Sequence, residues 1–215
     1  MNPFQPVKDF EAALCEYTGA RYAVAVNSCT MALYLALRWW WLNPKRDMSR
    51  VAVPKRTYVS VPMAVIKAGL EIAWHDEEWK GYYRLYPSWI WDSARWFTEG
   101  IAMFPEQAVG FTGRVKDVIV CTSFHAGKTL GHSQGGAILH HDKDADAWFR
   151  RMRFDGRAEG VAPKDDHFTM IGEHCYMSPD VAAALTWKLH HLPRRNEPLP
   201  NDDYPDLSQF EVFNR

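Results

Sequence analysis

The sequence predicts an α/β domain with a mostly parallel sheet flanked by helices. Short apolar runs rich in β-branched residues alternate along the chain with segments whose apolar residues recur at helical spacing. The chain has 215 residues, of which 47% are hydrophobic, enough for one sizeable core. In such a sheet, ligands bind beyond the carboxyl ends of the strands.

The first helix is predicted over residues 7–17, where Val7, Phe10, Leu14 and Tyr17 share one face, and Gly19 suits the left-handed position that ends it. Further strands are predicted at 22–26, 51–53, 71–74, 88–95, 118–122 and 137–139, and further helices at 31–41, 57–69, 142–154 and 179–190. Residues 97–115 are expected to form a loop with short strand pieces, and residues 156–169 an exposed loop. We expect one domain over residues 1–192 and an extended tail over 193–215.

Composition excludes several classes of protein. A formal net charge of −1 gives no general attraction to nucleic acid or to an anionic membrane. The four cysteines lack CxxC spacing, which favours reduced thiols in a cytoplasmic protein. We expect neither a secretion signal nor a membrane span, because no apolar run approaches about 20 residues. No metal site is expected, since the paired histidines lack ligand spacing.

The segment 123–136 carries the strongest chemical signal. It places Lys128 between two apolar runs, among small and hydroxyl-bearing residues, and it is too long for a tight hairpin turn. Although most loop lysines are simply solvated, this arrangement suits an amine that a flat ligand must approach closely.

Two further sites have the residues for ligand binding. Ser28, Cys29 and Thr30 lie between a predicted strand and a helix, where free N–H groups and the helix dipole favour an anion. Ser28 and Thr30 are also suitable N-cap residues. Asp92 lies at the carboxyl end of the predicted strand 88–95, as a carboxylate presented to a ligand or as an N-cap.

Five blocks of the chain, taken in order, form a recognisable series. They are residues 10–33, 53–60, 91–94, 123–137 and 172–184. Together they resemble the blocks of the DegT/DnrJ/StrS sugar aminotransferase family. Members of that family are pyridoxal phosphate (PLP) enzymes of the aspartate aminotransferase fold, fold type I. The resemblance therefore implies the PLP-binding large domain, and it implies a shortened member without the family's small C-terminal domain.

The resemblance also assigns roles to residues. Lys128 would form a Schiff base with the PLP aldehyde and then move a proton. Apart from the resemblance, His125 flanks Lys128 and is compatible with assisting proton transfer, because histidine titrates near neutrality, or with only lining the pocket. The other implied cofactor contacts are Asp92 on the pyridinium nitrogen, Tyr58 stacked on the ring, and a phosphate cradle of Ser28, Cys29, Thr30 and Ser123. Tyr58 also suits ordinary core packing.

Several positions depart from the family pattern. Cys29 stands where the family has glycine, and Arg95 where it has glutamine or histidine. His174 replaces an asparagine that reaches the neighbouring subunit's phosphate. We keep Arg95 and His174 among the expected cofactor-binding residues. Between residues 76 and 92 the chain is shorter than the pattern by about one helix and one strand.

Three functions are compatible with these residues. The first is an aminotransferase that uses a small-molecule amino donor and a sugar-like or other small carbonyl acceptor. The second is a PLP-dependent decarboxylase or other Cα-modifying enzyme acting on a bulky amino-acid adduct, such as one on viral DNA bases; only this function would involve nucleic acid. The third is a non-catalytic relative. A homodimer with a shared active site is expected by resemblance, with Trp39–Trp41 as core or as an interface element.

Overall fold

A computed structural model describes residues 2–42, 49–104, 114–200 and 203–214. The helices are α1 (Gln5–Thr18), α2 (Cys29–Trp41), α3 (Ser60–Lys67), α4 (Lys143–Met152) and α5 (Pro179–His190). The strands are β1 (Tyr22–Val26), β2 (Arg50–Pro54), β3 (Glu71–His75), β4 (Tyr83–Arg84), β5 (Ile90–Asp92), β6 (Ile119–Ser123) and β7 (Gly136–His140). Short 3-10 turns occur at Ile101–Met103, Val115–Asp117, Pro163–Asp165, Leu207–Gln209 and Glu211–Phe213.

Most predicted elements are present with shifted ends. Strand β1 and helix α5 match their predicted ranges, and Gly19 adopts the predicted left-handed conformation with φ 77°. The predicted strand at 88–95 is limited to Ile90–Asp92, and β4 was not predicted. The described part of residues 97–115 contains 3-10 turns in place of strand pieces, and residues 105–113 lie outside the described ranges.

The prediction of a mostly parallel sheet was wrong. The main sheet has the order β1-β7-β6-β5-β4, and only β5 and β6 pair in parallel. A separate two-stranded parallel sheet consists of β2 and β3. The antiparallel pairs arise because β7 returns from the Lys128 loop without a crossover helix, and because β4 reverses into β5 through a short connection.

Strands β1, β5 and β6 nevertheless run in the same direction. Both β1 and β6 are antiparallel to β7, and β5 is parallel to β6. Their carboxyl ends therefore meet at one edge of the sheet, where β7 begins at Gly136. Ser28, Asp92 and Ser123 lie at or just after these three ends.

The core lies in two layers, one on each face of the main sheet. In β1, Val24 and Val26 face one apolar cluster, while Ala23 and Ala25 face the other. Helices α2 and α4 cover the first face, and α1 packs against α5 on the second. The period-2 alternation of a strand accounts for this division. Among the tryptophans of α2, Trp40 is buried in the first cluster, Trp39 packs against Trp148, and Trp41 is exposed.

A buried ion network fixes α1 to the sheet and to α4. Glu11 accepts hydrogen bonds from the Ala25 N–H (2.9 Å), from Arg150 (2.7 Å) and from Arg153. Burial raises the pKa of Glu11, but the two guanidinium groups outweigh burial and hold this pKa below its usual range. All four cysteines are free thiols.

The segment after α5 returns across the domain. The tail is anchored by hydrogen bonds from the Leu199 N–H to the Arg95 carbonyl (2.7 Å), from the Leu207 N–H to the Lys55 carbonyl (2.8 Å) and from the Trp74 indole to Asn214 (2.8 Å). Phe213 is buried. The described helices include none with the length and apolar character needed to cross a bilayer.

Candidate active site

A cavity of about 350 Å³ opens at the sheet edge where β1, β5 and β6 end. Its walls come from the β1–α2 turn, the start of α3, the end of β5 and the Lys128 loop. The lining residues are Asn27, Ser28, Cys29, Thr30, Leu33, Tyr58, Ser60, Val61, Asp92, Ala94, Ser123, His125, Lys128, Gln134 and Gly135. Residues from distant parts of the sequence therefore meet at the position predicted for a ligand.

Lys128 lies on a loop that is fixed at its base. Phe124 is fully buried, and its backbone pairs with Gly135 and His132 (2.9 Å each). The Lys128 N–H donates to the His125 carbonyl (2.9 Å), which forms a turn. Burial, followed by the positive charge of Arg95, lowers the pKa of Lys128. A larger fraction of this amine is therefore neutral, and nucleophilic, than of a solvated lysine.

Asp92 is only 4% exposed. Its Oδ1 accepts the Ala94 N–H (2.9 Å) and its Oδ2 accepts the Tyr83 hydroxyl (2.8 Å), which in turn bonds to Thr57 (2.7 Å). Burial raises the pKa of Asp92, although these donors and the charge of Lys128 oppose the rise. A carboxylate held by two neutral donors in a cavity is suited to a cationic partner, such as a protonated ring nitrogen.

The β1–α2 turn forms an anion cradle. The Ser28 hydroxyl caps α2 by accepting the Met31 N–H (3.2 Å), which confirms its predicted capping role. The first N–H groups of a helix have no acceptor within the helix and favour an anion; at α2 the Met31 N–H is already used by Ser28, which leaves the turn at Cys29 and Thr30 as the part suited to an anion. Thr30 bonds to Ser60 (2.8 Å), and the Ser123 hydroxyl lies on the same cavity wall.

Cys29 and Gly136 lie where the β1–α2 turn and strand β7 come into close contact. The Cys29 thiol is buried, and burial together with the charge of Asp92 raises its pKa well above the usual value, so it remains a thiol. A Cβ atom on Gly136 would overlap the backbone of Ser28 and Cys29. Glycine is therefore required where β7 passes beneath the turn.

Not every predicted site residue lies on the cavity wall. Tyr58 lines the cavity but is 56% exposed, so it is not the core residue considered as an alternative. Arg95 follows the lining residue Ala94 but is not itself among the lining residues, and it pairs with Asp203 (2.7 Å). His174 lies away from the cavity, exposed and paired with Asp155 (3.0 Å). Its expected contact with the phosphate of a second subunit stays a prediction.

Sequence reasoning missed three contributors. Tyr83 reaches Asp92 from β4, a two-residue strand too short to give a periodic signal. Ser60 and Gln134 line the cavity from positions that carry no motif of their own. The hydroxyl of Ser60 had a weak signal, because it falls in the same block as Tyr58.

The chain belongs to the DegT/DnrJ/EryC1/StrS aminotransferase family, whose model matches residues 2–83 and 100–198. It is similar to the spore coat polysaccharide biosynthesis protein SpsC of Bacillus subtilis (strain 168), with 38% identity over 63 residues, which cover 29% of this chain and 15% of SpsC. This membership confirms the family predicted from the five sequence blocks.

Solved structures of similar fold include DesV of S. venezuelae, with 22% identity, a TM-score of 0.65 and coverage of 87% of this chain and 57% of DesV. PseC of Helicobacter pylori, described as an aminotransferase of pseudoaminic acid biosynthesis, has 18% identity, a TM-score of 0.64 and coverage of 87% and 57%. NtdA of Bacillus subtilis, solved with the cofactor PMP, has 19% identity, a TM-score of 0.65 and coverage of 87% and 48%. The chain thus spans about half the length of these proteins. The likeness confirms the α/β fold of PLP-dependent aminotransferases, and nothing in it favours a decarboxylase.

Pyridoxal 5′-phosphate is the cofactor of this family, and the residues present fit it. The cavity offers a buried carboxylate for a ring nitrogen, an amine of lowered pKa for an aldehyde, and hydroxyl and N–H donors for a phosphate. Among the described residues, no group of three or more His, Cys, Asp or Glu side chains is placed to hold a metal ion.

Proposed function

We propose that the protein is a PLP-dependent aminotransferase in which Lys128 is the amine that attaches the cofactor. The observation that carries the proposal is that Lys128 and Asp92 line one cavity together with the helix-end anion cradle. A buried acid, a partly neutral amine and an anion cradle are the three groups that PLP binding requires. Family membership supports the same chemistry.

When bound, PLP supplies an aldehyde that reacts reversibly with amines and a ring that withdraws electrons. Asp92 would bind the ring nitrogen and hold its proton there. The Tyr83 and Ala94 donors fix both carboxylate oxygens, so the negative charge stays directed into the cavity. Ser28, Thr30, Ser123 and the N–H groups at Cys29 would bind the phosphate, and Tyr58 would cover the ring.

Lys128 would also carry the proton of the transamination step. With an amino donor bound, the free Lys128 amine would act as the general base for the proton on the α-carbon of the donor. Its lowered pKa makes the neutral form more populated than in a solvated lysine. His125, exposed on the same loop and on the same cavity wall, is placed to exchange that proton with solvent.

For the acceptor we propose a sugar-like or other small carbonyl compound. Support comes from the relatives, since SpsC is described as a polysaccharide biosynthesis protein and PseC as an aminotransferase of pseudoaminic acid biosynthesis.

The proposal is tested by absorbance spectroscopy of the purified protein with PLP. We expect a visible band that disappears in Lys128→Ala and remains in the matched control Lys188→Ala, whose amine contacts the Gly131 carbonyl outside the cavity. Adding an amino donor should convert the band to that of pyridoxamine phosphate. A band that persists in Lys128→Ala would contradict the assignment, and release of carbon dioxide would contradict transamination.

We also propose that the chain acts as a homodimer in which His174 approaches the second subunit's phosphate cradle. His174 and its partner Asp155 are both exposed and therefore accessible to a second copy. The measurement is light scattering with and without PLP. A monomer in the PLP-loaded state, or unchanged PLP affinity in His174→Ala, would contradict this arrangement.

A further inference from the structure

Arg95 lies beside the cavity, and the positive charge of its guanidinium is only weakly neutralised. It is adjacent to the lining residue Ala94, and its side chain is only 16% exposed. Among the described residues, its ion pair is with Asp203 at 2.7 Å, and the Asp203 side chain is 71% exposed. Within the described residues, the buried Arg95 Nε has no hydrogen-bond partner. Arg95 therefore retains unused donor capacity.

The tail holds Asp203 and Tyr204 at this position. The Leu199 N–H bonds to the Arg95 carbonyl, and the Leu207 N–H bonds to the Lys55 carbonyl, so the segment is fixed on both sides. The Arg95 guanidinium lies 4.8 Å from the centre of the Tyr204 ring. That ring also contacts Tyr58, which lines the cavity (centroids 6.5 Å apart).

The cations of Arg95 and Lys128 therefore act on the same region of the cavity. The charges of Arg95 and Asp203 both act on Lys128, in opposite directions. An anionic group that enters beside Lys128 gains from both cations, because an arginine fork binds a carboxylate through paired N–H donors. An exposed carboxylate on a tail is a weak competitor, since surface ion pairs contribute little net free energy.

We propose that Arg95 binds a carboxylate of the amino-donor substrate, and that Asp203 holds the same guanidinium in the free protein, so that donor and tail compete. This inference rests on the proposed function, because it names the donor as a carboxylate-bearing amine. We assign a carboxylate in preference to a phosphate because the group that Arg95 now holds is a carboxylate. Tyr204 keeps the guanidinium plane in place through the cation–π contact.

The test uses the PLP-loaded protein and glutarate, a dicarboxylate without an amino group, with affinity measured by calorimetry. Asp203→Asn removes the competing charge and should tighten glutarate binding about two- to fivefold. Arg95→Gln should weaken it at least about tenfold. If Asp203 only positioned Arg95, Asp203→Asn would weaken binding, so the two accounts predict opposite signs.

Glu99→Gln is the matched control. It removes the Glu99–Arg194 pair (2.7 Å), which also fixes the tail but lies away from the cavity lining, and should leave glutarate affinity unchanged. Inorganic phosphate is the second probe. Phosphate binding that depends on Arg95 while glutarate binding does not would overturn the assignment.

Hydrogen exchange gives an independent readout. Saturating glutarate should increase amide exchange in residues 203–208, because Asp203 is released. Unchanged or weakened glutarate affinity in Asp203→Asn, or unchanged exchange, would overturn the competition. The Lys128-dependent absorbance band is recorded on the same samples. A normal band with such results overturns the role of Arg95 alone, whereas a missing band overturns the proposed function.

Discussion

The inner and outer walls of the cavity are built in different ways. The inner wall consists of the β1–α2 turn, the Lys128 loop and the start of β7, which are joined by strand pairs that also divide the core. The outer wall, at Asp92 and Ala94, is supported from outside the lining by Tyr83, which hydrogen-bonds to Asp92, and by Arg95 with Asp203, a contact between residues 108 positions apart. Under our proposals the inner wall would attach the cofactor and bind its phosphate, and the outer wall would bind the ring nitrogen and the substrate. The comparison indicates that each element of the inner wall has its own local sequence signal, whereas the support of the outer wall also depends on how the tail docks.

The largest effect is expected at Asp92, the outer-wall residue that would bind the ring nitrogen of the cofactor. Asp92→Asn preserves the shape but removes the charge, so kcat should fall by about 10²–10³-fold. The matched control is Asp142→Asn at the N-cap of α4; asparagine is an equally good cap, so stability should stay within about 1 kcal/mol and kcat should be unchanged. Equal activity of Asp92→Asn and the native protein would show that the ring nitrogen has no carboxylate partner.

The next effect tests the close approach of β7 to the β1–α2 turn. Gly136→Ala places a Cβ against the backbone of Ser28 and Cys29, and should cost about 1–3 kcal/mol of unfolding free energy. Gly127→Ala, whose Cβ would have no atom within 4 Å, is the control and should be tolerated. Urea unfolding measures both variants, and similar midpoints would refute the packing account.

A smaller effect is expected on the outer wall, at Tyr83. Tyr83→Phe removes one of the two donors to Asp92 and leaves the Thr57 hydroxyl without its buried partner. Stability should fall by about 1–2 kcal/mol and kcat by about fivefold. Tyr82→Phe, in which the neighbouring ring still packs on Trp91, serves as control. An unaltered kcat would show that the Tyr83 hydrogen bond does not contribute to the function of Asp92.

The smallest effect is a shift in pH dependence. Covalent attachment of PLP requires neutral Lys128, and the lowered pKa of Lys128 allows attachment at a lower pH than for a solvated lysine. Arg95→Gln removes a repelling charge, raises the pKa of Lys128 and should move the midpoint to higher pH. Asp203→Asn removes an attracting charge and should move it lower. Stopped-flow absorbance across pH gives the midpoints, and shifts of the same sign in both variants would contradict the electrostatic account.

How well each wall could be predicted depends on how far apart in sequence its interacting residues lie. Strand β1, the Ser28 cap and the position of Lys128 were predictable, because each depends on residues within a few positions. The mixed sheet was not predictable, because the direction of β7 depends on whether the chain re-enters the sheet directly after the Lys128 loop or through a crossover connection. Tyr83 and Asp203 carried no local signal, because their roles exist only after the sheet has formed and the tail has docked.

The central claim is that Lys128 is the residue that attaches the cofactor. The most direct test is borohydride reduction of the PLP-loaded protein, followed by proteolysis and mass spectrometry of the phosphopyridoxyl label. We predict that the label lies on Lys128 and that it is lost in Lys128→Ala. A label on another lysine, such as Lys55 or Lys188, or no label in a protein that retains PLP, would contradict the account.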